Sequence, residues 1–311
     1  MNATNELKTT ELKTTAFELG FELCGVAPAE QPKTFDAFER WINNGQHAGM
    51  NYLAEKCSAR KHPNSVLQGV QSILMLGVSF ATVLNSEYHP VQQLTGVAEY
   101  ARGIDYHHWI RQRLRKLETK YLQLFPNSQC RGVVDTAPIL EKQFAVEAGL
   151  GKIGYNTLLI NPQYGSKIFL AALLSTQHLQ NSQKEQPSNT NSSKFNTTNC
   201  HTPASQEEIT LSCNNCQRCL TRCPTQALVK PFVLDARRCL NYWTIEHHGK
   251  IPEEIQNNLH QLFFGCDICV NVCPHNQHCT TLPKGTINPK SLNTEILFRI
   301  AAGSPLERMF R

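Results

Sequence analysis

No apolar run in this chain approaches the ~20 residues that a membrane-spanning helix requires; Ile168–Leu174 is among the longest. The opening residues, Met1 to Lys8, contain no apolar stretch of signal-peptide length. Charged residues are few at 18%, and a net charge of +5 does not by itself point to a polyanionic partner. These shortages lead us to expect a cytoplasmic protein without membrane contact. With 41% hydrophobic residues in 311, the chain can bury a real core and is long enough for two packed units.

What the chain does have is thirteen cysteines. The count is odd, an export signal is lacking, and the distribution is lopsided. Cys24, Cys57 and Cys130 are scattered, Cys200 lies in a polar stretch, and the other nine fall between Cys213 and Cys279. That pattern argues against a disulfide scaffold and for thiolates holding metal in a reducing compartment.

The cysteine-poor part alternates helical and strand-like patterns. An early helix gives way at Gly20, and Glu22–Val26 reads as a strand. Ser72–Phe80 is a mostly apolar run suited to a strand covered on both faces. Asp105–Leu124 repeats Ile110, Leu114, Leu117, Tyr121 and Leu124 at helical steps and carries Arg111, Arg113, Arg115 and Lys116 on its other face. Cys130–Asp135, Thr157–Asn161 and Lys167–Leu173 read as strands, and Pro138–Gly149 as a helix with proline near its first turn. The expectation is an α/β domain over residues 1–179 with a mixed sheet. Residues 180–212 are rich in Asn, Ser, Thr and Gln and read as a flexible polar insertion. A metal-binding module follows over 213–285, and a helical segment over 286–311.

The run from Cys213 through Cys216, Cys219 and Cys223 to Pro224 has the spacing C-x2-C-x2-C-x3-C-P. In ferredoxins the first three thiolates of such a run hold one iron–sulfur cube and the fourth turns away to the other cluster. A second run, Cys266, Cys269, Cys273 and Pro274, lacks a first cysteine, which the isolated Cys239 can replace. Applying the crossing puts Cys213, Cys216, Cys219 and Cys273 on one [4Fe-4S] cluster, and Cys223, Cys239, Cys266 and Cys269 on the other. The alternative is two structural zinc sites, which need neither the third cysteine two residues on nor the following Cys-Pro.

Around this module the chain resembles the epoxyqueuosine reductases. The resemblance is carried by Tyr100-Ala-Arg-Gly-Ile-Asp-Tyr-His107, Val134-Asp-Thr-Ala-Pro-Ile-Leu-Glu141, Ala148–Thr157, Tyr164-Gly-Ser166, Leu234–Cys239, Thr244–Pro252 and the double cysteine run. It implies a cobalamin-binding α/β domain related to that of reductive dehalogenases, joined to a ferredoxin-like module with two clusters. It also implies an oxidoreductase that reduces epoxyqueuosine to queuosine at the wobble position of tRNA, with electrons from an external donor. Another corrinoid reductase of dehalogenase type and a plain electron carrier are the alternatives. The chain departs from the family pattern at Lys152, Tyr155, Ala172, Asn241 and His275.

Several site residues follow from the resemblance. Asp135 matches the family's proton donor, and from the residues alone either Asp135 or Thr136 also suits the cap of a helix beginning near Pro138. Beside a hydrophobic corrin, the pKa of Asp135 is expected to be raised. Cobalamin contacts are implied at Arg60, Ala98, Asp135, Asn156, Leu159, Leu170, Asn241 and His248, and a tRNA contact at Gly249. Arg60 suits a surface salt bridge equally well, and His247 with His248 a solvated pair. Arg111, Arg113 and Lys152 are candidate phosphate contacts. Gly149, Gly151 and Gly154 precede a strand rather than a helix, which excludes a dinucleotide fingerprint.

Overall fold

The structure is a computed structural model and describes residues 3–86, 96–180, 213 and 215–277. Most of the polar insertion expected over 180–212, the helical segment expected over 286–311, Cys200 and Cys279 lie outside the described residues. The strands are β1 Leu23–Pro28, β2 Ser72–Ser79, β3 Cys130–Val133, β4 Lys152–Ile153, β5 Leu159–Ile160, β6 Ile168–Ser175, β7 Leu228–Lys230 and β8 Val233–Leu234.

Four of them form the central sheet in the order β1-β2-β6-β3. Every neighbouring pair is antiparallel, which corrects the expected mixed sheet. The apolar run of β2 was read as a strand covered on both faces, and it is one. Burial on both faces follows from helices on both sides, not from strand direction. Leu74, Leu76 and Val78 of β2, with Phe169, Ala171 and Leu173 of β6, pack on one face against Leu12, Ala16, Ile110, Leu114 and Leu117. These come from the helices Ala3–Glu18 and Tyr106–Leu124. Ile73, Met75, Ala172 and Leu174 fill the other face with Phe144 and Ala145 of the helix Glu141–Glu147. Residues two apart on one strand share a face, so alternate side chains serve the two cores.

The cysteine-rich part docks on this domain through directed bonds. The Trp41 indole donates to the Leu234 carbonyl at 2.6 Å, the Ala98 amide to the Phe264 carbonyl at 2.7 Å, and the Glu99 amide to Asp267 Oδ2 at 2.6 Å. Glu99 is itself held by the buried Lys167, at 2.6 Å, just before β6. Loop 96–101 is thereby pinned between the sheet and the second cysteine run.

Candidate functional site

Strand β3 ends at Val133, two residues short of the expected Asp135. The chain then turns, with the Thr136 amide bonded to the Val134 carbonyl and Asp135 at φ +40°. Left-handed backbone is uncommon for a residue with a side chain, though Asp and Asn tolerate it best. Neither Asp135 nor Thr136 caps a helix: the next one begins only at Glu141, and its N-cap position is Leu140. The capping expectation is therefore overturned, and Pro138 serves the loop instead.

What holds Asp135 is a set of side chains from other elements. Its amide donates to Glu141 Oε1 at 2.8 Å. Its carboxylate accepts from the Tyr106 hydroxyl and, at 2.8 Å, from His107 Nε2. The other imidazole nitrogen, Nδ1, faces Asp105 Oδ1 at 2.7 Å. Asp105 also caps the helix Tyr106–Leu124 by accepting the His107 amide, so one residue starts the helix and aims its imidazole. A carboxylate accepts only, so an imidazole between two of them must carry both protons to satisfy both. Burial works against this cation, but the hydrogen bonds to Asp105 and Asp135 outweigh it and raise His107 to about 9. Burial, and then the charge of Asp135, push Glu141 up to about 8. At neutral pH the cluster thus holds protons on both sides of the Asp135 loop.

The same space is bordered from the other half of the molecule. Tyr52 feels Glu246, Arg60 and Asp135, and Tyr100 feels Asp267, Glu246 and Asp135; burial raises both phenols. Tyr52 is 45% exposed, and Leu170 is half-buried against the core on the second face of the sheet. Arg60 is buried rather than in a surface salt bridge; it donates to the Lys56 carbonyl at 3.1 Å and lies over the Phe38 ring. Ala98 is buried in the pinned loop, and Leu159 lies in the core against the sheet. Asn156 is buried and reaches the Cys269 carbonyl at 3.5 Å. Asn241 Oδ1 accepts from the Cys266 amide at 3.3 Å. His248 and Gly249 are exposed. Arg113 is not available for phosphate: it donates to the Leu19 and Trp109 carbonyls and stacks 3.3 Å over the Trp109 ring.

Cys213, Cys216, Cys219 and Cys273 border one pocket with Tyr155, Asn156, Ile160 and His275. Burial, and then the nearby Cys213, Cys219 and Cys216, raise the Cys273 thiol to about 11. In the second set Cys266 is raised to about 11, first by burial and then by Cys239, Asp267 and Cys223. Cys269 is pushed up by burial and by Cys266, Cys239 and Cys223, and it also feels Cys219 of the first set. The two quartets are therefore neighbours. Four thiolates this close repel one another, and a cationic iron core relieves the repulsion while releasing the protons. Among the described residues no three His, Cys, Asp or Glu side chains converge on a point that would hold one metal ion. Cys213, Cys216, Cys219 and Cys273 surround a pocket, as the ligands of a cluster would.

The second run is braced by Asn276, which is only 5% exposed. Its Oδ1 accepts the Ser166 amide at 2.7 Å, and its Nδ2 donates to Ser166 Oγ at 2.9 Å and to the Val270 carbonyl at 2.8 Å. Gly165 makes room for it: at φ +59° a Cβ there would stand 2.1 Å from Asn276 Oδ1. Asn276→Ala strands a buried amide and carbonyl and should cost roughly 2–4 kcal/mol. Anaerobic denaturant titration of the cluster-loaded protein measures this. The exposed neighbour Gln277, changed to Ala, should shift stability by less than about 0.5 kcal/mol.

Sequence reasoning missed Tyr106, His107 and Glu141 as members of the acid site. All three stand inside quoted motifs. The available signal was Asp105 before a helix, with a histidine two residues on. Single electrons arriving through clusters beside a store of protons make the arrangement of an iron–sulfur reductase.

The comparisons place the chain more narrowly. Residues 60–136 match the family model "Epoxyqueuosine reductase QueG, DUF1730", and residues 212–276 match "4Fe-4S double cluster binding domain". The epoxyqueuosine reductase of Synechococcus sp. (strain RCC307) is 38% identical over 86% of this chain and 75% of its own length. The fold matches a crystal structure of epoxyqueuosine reductase with a tRNA-Tyr epoxyqueuosine-modified stem loop, at TM-score 0.71, 23% identity, and coverage of 97% of this chain and 71% of that one. It also matches the Bacillus subtilis enzyme solved with its aspartate catalytic loop swung out of the active site, at TM-score 0.71, 21% identity, and coverage of 97% and 77%. The chain belongs to the epoxyqueuosine reductase family, whose members are oxidoreductases using cobalamin and two [4Fe-4S] clusters.

Proposed function

We propose that this chain reduces epoxyqueuosine in the wobble position of tRNA to queuosine, with Asp135 as the proton donor. The observation that carries the reading is the hydrogen-bonded Tyr106–His107–Asp135 cluster, which can hold and deliver protons. Opening the epoxide to the alkene takes up two electrons and two protons and releases one water. Cobalamin, when bound, supplies electrons at a potential no side chain reaches, and the clusters deliver them singly from an external donor.

The protein's own part is to place and hold protons. Asp135 takes a proton from His107 across their 2.8 Å hydrogen bond and passes it to the opening oxygen. Glu141 keeps the Asp135 loop in place through the amide. Cys213, Cys216, Cys219 and Cys273 would hold one cluster, and Cys223, Cys239, Cys266 and Cys269 the other. Asn156 and Lys142 lie between the acid site and the second quartet: Asn156 through the Cys269 carbonyl, and Lys142 through Thr157 and the charge of Cys269. Arg60, Leu170 and Asn241 would border the corrin, and the exposed Gly249 would meet the RNA. No described helix is long and apolar enough to cross a membrane, and tRNA as substrate fits a cytoplasmic site of action. A plain electron carrier has no use for the proton cluster, which disfavours that alternative.

The test is reconstitution under anaerobic conditions with iron, sulfide and cobalamin, followed by a chemical reductant and a stem-loop bearing epoxyqueuosine. We expect about eight irons per chain and a nucleoside product lighter by one oxygen on mass spectrometry. Unchanged substrate, with iron and corrin fully loaded, rejects the reading.

A further inference from the structure

A cavity of about 260 Å³ is lined by Lys56, Arg111 and Arg131, by the end of β3 and by the loop residues 134 and 136–138. The loop residues on both sides of Asp135 line it, while Asp135 turns its carboxylate to Tyr106 and His107. Three cations converge there, and no carboxylate is among the lining residues. Arg131 is fixed in place by donating to the Val66 carbonyl at 3.0 Å. Among the described residues, the exposed side chains of Lys56 and Arg111 have no hydrogen-bond or ion-pair partner. The other cations nearby are engaged: Arg60 on the Lys56 carbonyl, Arg113 on Trp109 and Lys142 on the Thr157 carbonyl.

We propose that this pocket is a phosphodiester-binding site. Two guanidinium forks and an ammonium, with the neighbouring Glu118 carboxylate already accepting the Gly132 amide at 2.6 Å, match the paired oxygens of a phosphate better than any neutral ligand. The location adds a reason. Arg111 is one helical turn, about 5.4 Å along the axis, beyond His107 on the helix Tyr106–Leu124. A nucleotide whose base enters the acid site must leave its backbone outside it, and a cationic pocket bordering the Asp135 loop would meet that backbone. The nucleotide tail of cobalamin carries the same phosphodiester chemistry. The inference rests on the proposed function and specifies how its ligand is gripped.

The experiment uses the full cluster-loaded chain, Arg111→Gln and Lys56→Gln, and three probes: an unmodified anticodon stem-loop RNA, cobalamin, and cobinamide, which lacks the nucleotide phosphate. Each variant should weaken one phosphodiester ligand about tenfold, with unchanged thermal unfolding because both residues are exposed. If RNA is the occupant, its affinity falls, the slope of log K against log salt drops by about 1, and cobalamin binds as before. If the cofactor tail is the occupant, cobalamin affinity falls toward that of cobinamide while RNA is unaffected. Wild-type and variant chains that bind RNA and cobalamin alike overturn the pocket assignment and leave the proposed function standing. A wild-type chain that binds neither ligand rejects both.

Discussion

Asparagine at position 135 is expected to lower turnover by roughly 10²–10⁴-fold, the range typical of general acid catalysis, with cofactor loading and stability nearly unchanged. Asparagine tolerates the φ of +40° there about as well as aspartate. It still accepts from Tyr106 and leaves the amide bond to Glu141 in place. What it loses is the carboxyl that can accept and pass on the His107 proton, and with it the negative charge facing His107. Removing that charge also lowers the His107 pKa, since Asp135 is one of the two carboxylates that raise it.

The wild-type pH profile follows from the same pair. Below about 9 the imidazolium is present and can refill Asp135; above it the proton is gone, so turnover should decline through an alkaline limb near 9. The stability that the pair contributes has the same sign. It is fully present below the unfolded histidine pKa of ~6.5 and is lost as pH rises through about 9. Anaerobic single-turnover measurements with a chemical reductant separate proton delivery from electron supply. Near-normal turnover in Asp135→Asn would remove it as an essential donor.

The second large effect is expected from Cys273→Ala. This residue belongs by sequence to the second cysteine run, yet it borders the pocket of Cys213, Cys216 and Cys219. Its loss should strip that cluster and spare the other, so iron falls from about eight to about four per chain. Turnover driven by the external donor should then collapse, because the relay is broken. Unfolding should move to lower denaturant, since metal binding contributes folding free energy. Spectroscopy of the reduced protein will show which cluster remains. Loss confined to the cluster of Cys266 and Cys269 would show that the runs do not exchange ligands.

Much of this site was legible because it is local. Cysteines at gaps of two residues constrain one turn of chain, and the proposed crossing of Cys223 and Cys273 is read from the ferredoxin spacing. Asp135 was legible as a charged residue after Val133 and Val134. Its surroundings were not. Tyr106 and His107 lie 29 and 28 residues away in sequence and meet Asp135 only because the helix Tyr106–Leu124 packs along β3. The start of the next helix was misplaced because proline suits a first turn and a loop equally well; Leu140 at the N-cap has no side chain to signal the boundary.

Strand direction was illegible for a different reason. The apolar run of β2 reports covering on both faces, and helices lie on both faces of a sheet whose neighbours all run antiparallel. The fates of Arg111 and Arg113 diverge although they are two residues apart. A helix turns about 200° over two residues, sending one to the loop pocket and the other onto Trp109.

Composition and cysteine spacing by themselves pointed to a chain with a core of its own and two cysteine runs suited to iron–sulfur clusters, because metal ligation depends on short chain segments. Only the tertiary structure decided which groups store the protons, which cations stay free and how the two halves lock. Those properties arise where residues distant in sequence share burial and charge, and a linear pattern does not encode the burial that shifts a pKa or leaves a cation unpaired.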